Sequence, residues 1–372
     1  MFLIYCIDKK WIIFDGPVDA LWIENMNTVL DDNKKLCLSN GEIIPLTSSQ
    51  TMMFEVGDLQ AASPATVSRC GMIYMEPADL GIDPLVKSWL LTLPEIMSTY
   101  RPGLQKLFDT FLAPSLSFLR KNMKEIVPTV DCQMVQSLLN IIECWLHPYY
   151  PEFEDEDPSK AQSKLPTNFN ITTEYFFFFG LVWSIGASTD HEGRRKFDTY
   201  LRGEMNNGIK AIFPPEGTVY DYCYNSEKQG WVHWMTTIPE FSIRPAMNFS
   251  EIIVPTIDSV RNTFLLDLLL SQGKHVLCVG PTGTGKSVTI VEKLTKAMPP
   301  EITPVFINFS ARTTENQIQD ILDAKFDKRR KGVFGPPAGR KFIISIDDVN
   351  MPVKEKYGAQ PAIELLRQWM VR

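Results

Sequence analysis

Eight residues constrain this chain more than any others. Positions 280–287 read Gly280, Pro281, Thr282, Gly283, Thr284, Gly285, Lys286 and Ser287, filling every fixed position of G-x-x-x-x-G-K-[ST]. An apolar run at 275–279 precedes them and a helical pattern at 287–297 follows, the strand, loop and helix context that this motif requires. The glycines let main-chain N–H groups curl round phosphate oxygens, and the helix N-terminus adds partial positive charge. Lys286 is placed to reach the β and γ phosphates, and Ser287 to ligate Mg2+. A plain Gly-rich turn would need neither flanking element.

The residues downstream support the same reading. Helical patterns at 259–270 and 314–326 alternate with apolar runs at 305–309 and 342–346, which predicts a parallel sheet with crossover helices. The last run ends in Asp347-Asp348, and carboxylates at the carboxyl end of a buried strand face the phosphate side of such a sheet. Asp347 is the candidate magnesium carboxylate, acting through a bound water. Asp348 is the candidate base for the attacking water, although it is one methylene shorter than Glu. Two strand-end aspartates that only cap a turn are the plain alternative.

Composition removes several classes. With 37 Lys and Arg against 44 Asp and Glu, the net charge of -7 gives no basic field for nucleic acid. Seven cysteines without a CxxC pair fit neither a zinc module nor a disulfide framework, and point to a reducing compartment. Residues 175–187, with four successive Phe, are too short to span a bilayer and read as a buried helix, so no membrane partner is expected.

Four regions are expected. Residues 1–82 read as an α/β layer: strands from the N-terminus, at 11–14, 51–56 and near 70–74, a helix at 19–30, and a hairpin around Ser39-Asn40-Gly41. The strand at 11–14 ends in Asp15-Gly16, where Asp15 taken alone is a turn residue. Residues 83–202 carry helical spacing, interrupted by an acidic loop at 152–157. Residues 203–251 form a connector with a hairpin at 219–224 and 231–235, and 252–372 hold the second α/β region.

Long strings then resemble one family, the axonemal dynein heavy chains. Residues 11–34, beginning Trp11-Ile-Ile-Phe-Asp-Gly-Pro-Val-Asp-Ala-Leu-Trp, are similar to the Walker B region of the second AAA+ module in the motor ring. Thr66-Val-Ser-Arg69-Cys-Gly71 is similar to the segment that follows it. The P-loop, Ile346-Asp-Asp-Val-Asn-Met-Pro352 and Lys356-Tyr-Gly-Ala-Gln-Pro361 resemble the third module.

The resemblance implies partial AAA+ P-loop modules separated by a helical lid, with sheets ordered 5-1-4-3-2. The first half would keep strands 3, 4 and 5, and the second half strands 1, 2 and 3. It implies ATP and Mg2+ as ligands, and intermediate and light chains and microtubules as the family's partners. The implied location is the cytoskeleton of the cytoplasm and the ciliary axoneme. Arg69 resembles an arginine finger offered to the neighbouring first module, and Gly16 beside Asp15 agrees with a second module that binds nucleotide without turnover. Arg194 and Arg195, lid arginines that could face nucleotide, read as solvated helix charges. The chain resembles a fragment of the motor, for which binding is better supported than hydrolysis. A catalytically incompetent interaction or regulatory module is the second reading.

Overall fold

The computed structural model describes residues 10–14, 20–151, 165–166, 168–205, 208–238, 241, 252–331, 333–356 and 358–371. The expected N-terminal strand before residue 10, Asp15-Gly16 and the acidic loop at 152–157 lie outside these residues. The chain divides into two compact units, one of residues 1–75 with 298–372 and one of 76–297.

In the first unit, short helical turns at Ala20–Ile23 and Asn27–Leu30 precede the hairpin of β1 (Lys35–Cys37) and β2 (Ile43–Pro45), with Leu36 opposite Ile44. Gly41 takes φ +86°, the left-handed geometry that the tight turn needs. The α/β layer expected here does not form a sheet. Residues 11–14, 51–56 and 71–75 form no strand, and Trp11, Ile12, Ile13 and Phe14 are 65–78% exposed. A strand is stable only when neighbours take up its N–H and C=O groups. The described residues supply these runs with none.

The second unit is the helical body. It comprises α1 (Asp83–Thr92), α2 (Arg101–Leu107) joined by a π turn at Phe108–Leu112 to α3 (Ala113–Asn122), α4 (Asp131–Leu146), α5 (Phe169–Ser184) and α6 (His191–Glu204). Helix α5 is predominantly apolar from Phe176 onward, and that part is largely buried, as such a run must be. The Phe177 ring meets Phe108 edge-on at 5.2 Å and Phe178 meets Phe111 at 5.0 Å, while Phe176 stacks on Trp145 at 5.3 Å. Gly180 lets α5 approach α4 closely, since a Cβ there would stand 2.8 Å from Leu138 Cδ1. Asp190 caps α6 by accepting the Gly193 N–H at 2.8 Å.

A hairpin of β3 (Tyr222–Asn225) and β4 (Gly230–His233) closes the helical body. Helix α7 (Ile257–Ser271), capped by Thr256, lays Phe264, Leu265 and Leu268 against Ile141, Phe179 and Trp234. Helix α8 (Lys286–Lys296) packs on α7, and the two are joined by an ion pair from Lys293 Nζ to Asp267 Oδ1 at 2.7 Å.

The remainder of the first unit starts with β5 (Ile302–Asn308). Helix α9 (Glu315–Asp323), capped reciprocally by Thr314 and Gln317, then crosses over. The hairpin β6 (Asp327–Arg330) with β7 (Val333–Gly335) follows, a charged strand paired with an apolar one, not foreseen from the sequence. Strand β8 (Lys341–Asp347) pairs parallel with β5, Val305 opposite Ile344, and α10 (Pro361–Val371) is the last described element. Val305, Ile307, Ile318, Leu322 and Ala362 form the buried core between this sheet and its helices. No helix among the described residues is long and apolar enough to cross a membrane.

Candidate P-loop site

The loop at 280–285 takes its shape from two glycines. Gly283 has φ +82° and Gly285 φ +80°, where a side chain would be strained, and α8 begins directly after at Lys286. The first turn of α8 therefore presents main-chain N–H groups that no residue of that helix can accept. Lys286 folds back over the loop: its Nζ donates to the carbonyls of Gly280 at 2.8 Å and Pro281 at 2.6 Å, and stands 3.4 Å from Thr284 Oγ1. Thr284 Oγ1 in turn donates to Pro281 O at 3.0 Å. An ammonium gathered to the mouth of an exposed loop, at a helix N-terminus, is a donor set suited to polyphosphate. Cys278 is exposed by area, yet desolvation by the surrounding chain raises its thiol pKa, and the charge of Lys286 opposes that shift.

The approach to the loop differs from the sequence reading. Residues 275–279 form no strand, and Leu277 and Val279 are exposed. Helix α8 is instead held from behind by α7. Lys293, although charged, is 7% exposed and donates to Ala297 O at 3.0 Å besides pairing with Asp267. Its position on the Ile290, Leu294 and Ala297 stripe is a signal in the sequence that could have marked it as a buried lysine.

Strand β8 carries Asp347 at its carboxyl end, opposite Asn308 of β5. Asp348 follows in the left-handed region at φ +53° and donates its N–H to Asp347 Oδ1 at 3.0 Å. Its carbonyl accepts the Met351 N–H at 2.9 Å, which closes a tight turn. A non-glycine residue at positive φ on a strand end is a backbone strain of the kind found at functional turns. These aspartates belong to the first unit and the P-loop to the second. No cluster of three or more His, Cys, Asp or Glu suited to a metal occurs among the described residues.

Arg69 is engaged locally. Its Nε reaches Asp31 Oδ1 at 2.5 Å and its Nη1 donates to Ala65 O at 2.7 Å, while Thr66 Oγ1 donates to Asn27 Oδ1 at 2.9 Å. Arg195 is exposed, as a solvated helix charge should be, but Arg194 is half-buried and lies over the Tyr220 ring.

Comparison with known proteins identifies the family. Residues 104–236 match the dynein heavy chain AAA lid domain, and residues 241–372 match the P-loop containing dynein motor region. Over 380 aligned residues the chain is 50% identical to dynein axonemal heavy chain 1 of Homo sapiens, covering 98% of this chain and 9% of that one. It is 46% identical to dynein axonemal heavy chain 12 of Rattus norvegicus, over 97% of this chain and 12% of the relative. It is 43% identical to dynein axonemal heavy chain 3 of Mus musculus, over 98% and 9%. The chain thus spans about a tenth of the length of these relatives. A helical lid continuous with a P-loop helix, matched over nearly every residue, makes this chain a member of the axonemal dynein heavy chain family.

Proposed function

We propose that the chain binds ATP with Mg2+ at residues 280–287, as the nucleotide-binding part of an axonemal dynein motor in the ciliary cytoskeleton. The observation that carries this reading is the loop itself, with left-handed Gly283 and Gly285 and the Lys286 amine gathered over the Gly280 and Pro281 carbonyls. On binding, Lys286 exchanges those carbonyls for phosphate oxygens, a charge-assisted bond in place of neutral acceptors. Main-chain N–H groups of the loop and of the first turn of α8 hold the remaining oxygens. Ser287 and Asp347 are the magnesium-side residues, and bound Mg2+ would offset phosphate charge. Asp348 is the residue proposed to orient water, and the turn at φ +53° sets its backbone.

Arg69 is proposed as a finger toward a neighbouring module, a role that requires it to leave Asp31. Motion along microtubules, with intermediate and light chains as partners, belongs in this proposal to the complete family protein.

Calorimetric titration of the full chain with Mg-ATP tests the reading. Lys286→Ala should weaken binding by about 10- to 100-fold, the worth of one or two charge-assisted bonds. Asp348→Asn should retain binding and lose whatever turnover the chain has. Equal binding by wild type and Lys286→Ala would refute the site. The exposed runs at 11–14 and 72–75 favour one second reading, an interaction module that pairs through unpartnered strands. Stable partner association without any ATP heat would select it.

A further inference from the structure

The charge of the chain is unevenly placed. Seven of its 37 Lys and Arg, but one of its 44 Asp and Glu, fall within residues 325–341. The hairpin of β6 and β7 carries most of this patch, and the single anion, Asp327, sits at the start of β6 opposite Gly335. All four residues of β6 are exposed, as is Lys331 beyond it. Lys328 stands opposite Phe334 and, after a bulge, Arg330 stands opposite Val333. Successive residues of β7 point to opposite faces, so the bulge sets Arg330 on the face away from Lys328. The hairpin thus bears cations on both sides.

Its base is fixed. Phe326 stacks on Phe342 at 5.8 Å and on Trp369 of α10 at 5.6 Å, and Arg329 Nη2 crosses to β7 to donate to Pro336 O at 2.9 Å. The other cations of the run are unspent. Among the described residues, none gives the side chain of Lys328, Arg330 or Lys331 a hydrogen bond or an ion pair. Like charges gathered without counter-ions repel, a cost that an incoming anion removes. Protecting an exposed edge from aggregation asks for a charge or two, not the unbroken run from Lys328 to Lys331.

Strands β6 and β7 pair with each other and with no further strand among the described residues, so main-chain N–H and C=O groups stand open along their edges. Phe334 adds an aromatic ring that is 60% exposed. An extended acidic peptide answers all three features: its main chain continues the ladder, and its carboxylates reach cations on alternate faces. A nucleic acid fits less well, because its long polyanion would meet the anion excess of the remaining surface.

We infer that the β6–β7 hairpin is a docking surface for an extended acidic segment of a partner protein, which adds as a strand along β6 and places carboxylates on Lys328, Arg330 and Lys331. The surface is separate from residues 280–287 and does not depend on nucleotide binding there.

Fluorescence anisotropy with labelled octaglutamate and the full chain tests this. Octaglutamate should bind saturably, about 10-fold or more tighter than octaglutamine, and the difference should fade in 1 M salt. Octaglutamate N-methylated at alternate residues keeps the charge but lacks half the main-chain donors, and should bind about 3- to 10-fold more weakly. The triple variant Lys328→Gln, Arg330→Gln and Lys331→Gln should lose about 10-fold in affinity at an unchanged melting temperature, since these side chains are exposed and unpaired. A control with the same charge change on the lid, Lys87→Gln, Lys106→Gln and Lys121→Gln, should keep it. Equal loss in the two triple variants, or equal binding of octaglutamate and octaglutamine, would overturn the surface. Undiminished binding of the N-methylated peptide would overturn strand addition, and tighter binding of an oligothymidylate of equal length at the same ionic strength would overturn the choice of partner.

Discussion

The helical lid and the P-loop flank share one composition but have opposite fates. In the lid, Phe177, Phe178, Leu138 and Ile142 are all fully buried, within helices whose main-chain groups are paired internally. Just before the P-loop, Leu277 and Val279 are equally apolar, yet 75% and 56% exposed and without strand partners. The difference lies in where each element finds its hydrogen bonds. A helix closes its own ladder and needs neighbours only to cover its apolar face, whereas a strand needs neighbours for its backbone as well. The parallel pair β5 and β8 shows the condition met: Ile302–Asn308 finds Lys341–Asp347 and both become ordered strands.

Truncation inside the helical body should have the largest effect. Phe177→Ala, which empties an aromatic site closed by Phe108 and Phe111, should cost about 3–5 kcal/mol in urea unfolding. If it costs no more than an exposed substitution, the lid is not the stable body described. Gly186→Ala is a finer probe of lid packing. A Cβ there would stand 2.6 Å from Phe197 Cε1 and 2.8 Å from the Tyr220 hydroxyl, so the loss should be about 1–3 kcal/mol, read from the same transition.

The buried thiols give a pH test of the same body. Burial pushes Cys223 up to about 12 and Cys144 up to about 11, from an ordinary value of 9.0. The folded state therefore keeps protons that the unfolded chain has released. Stability from these thiols is whole below pH 9 and is lost as pH rises toward 11 and 12. At pH 10 the urea midpoint should fall by an amount equivalent to about 1 kcal/mol per thiol. A midpoint that rises between pH 8 and 10 would contradict their burial. The smallest effect belongs to the exposed side: Ile13→Ala, at a site 77% exposed, should stay within about 0.5 kcal/mol. A larger loss would mean that residues 11–14 are covered in solution.

Much of the site was legible because its chemistry is local. The eight residues from Gly280 to Ser287 specify turn, donors and cation within one loop, and α8 starts where the motif requires. Asp347 falls at the end of a strand that apolar periodicity predicts, and β5 was equally readable. What escaped the sequence was pairing at a distance. Residues 11–14, 51–56 and 275–279 have the composition of strands, but composition does not say whether a neighbour is present. Arg194 shows the same limit: in α6 it reads as a surface charge, and only packing against Tyr220 reveals a buried donor.

By itself, then, the sequence determined the family, the glycine-rich loop at 280–285 and the apolar helices, since each is encoded by residues within a few turns of one another. Tertiary structure alone decided which apolar runs became strands, that Lys293 is buried against Asp267, and that Arg194 and Arg261 lie over adjoining rings. Each of these depends on partners contributed by segments far apart along the chain, and local residue preference carries no record of which partners will be met.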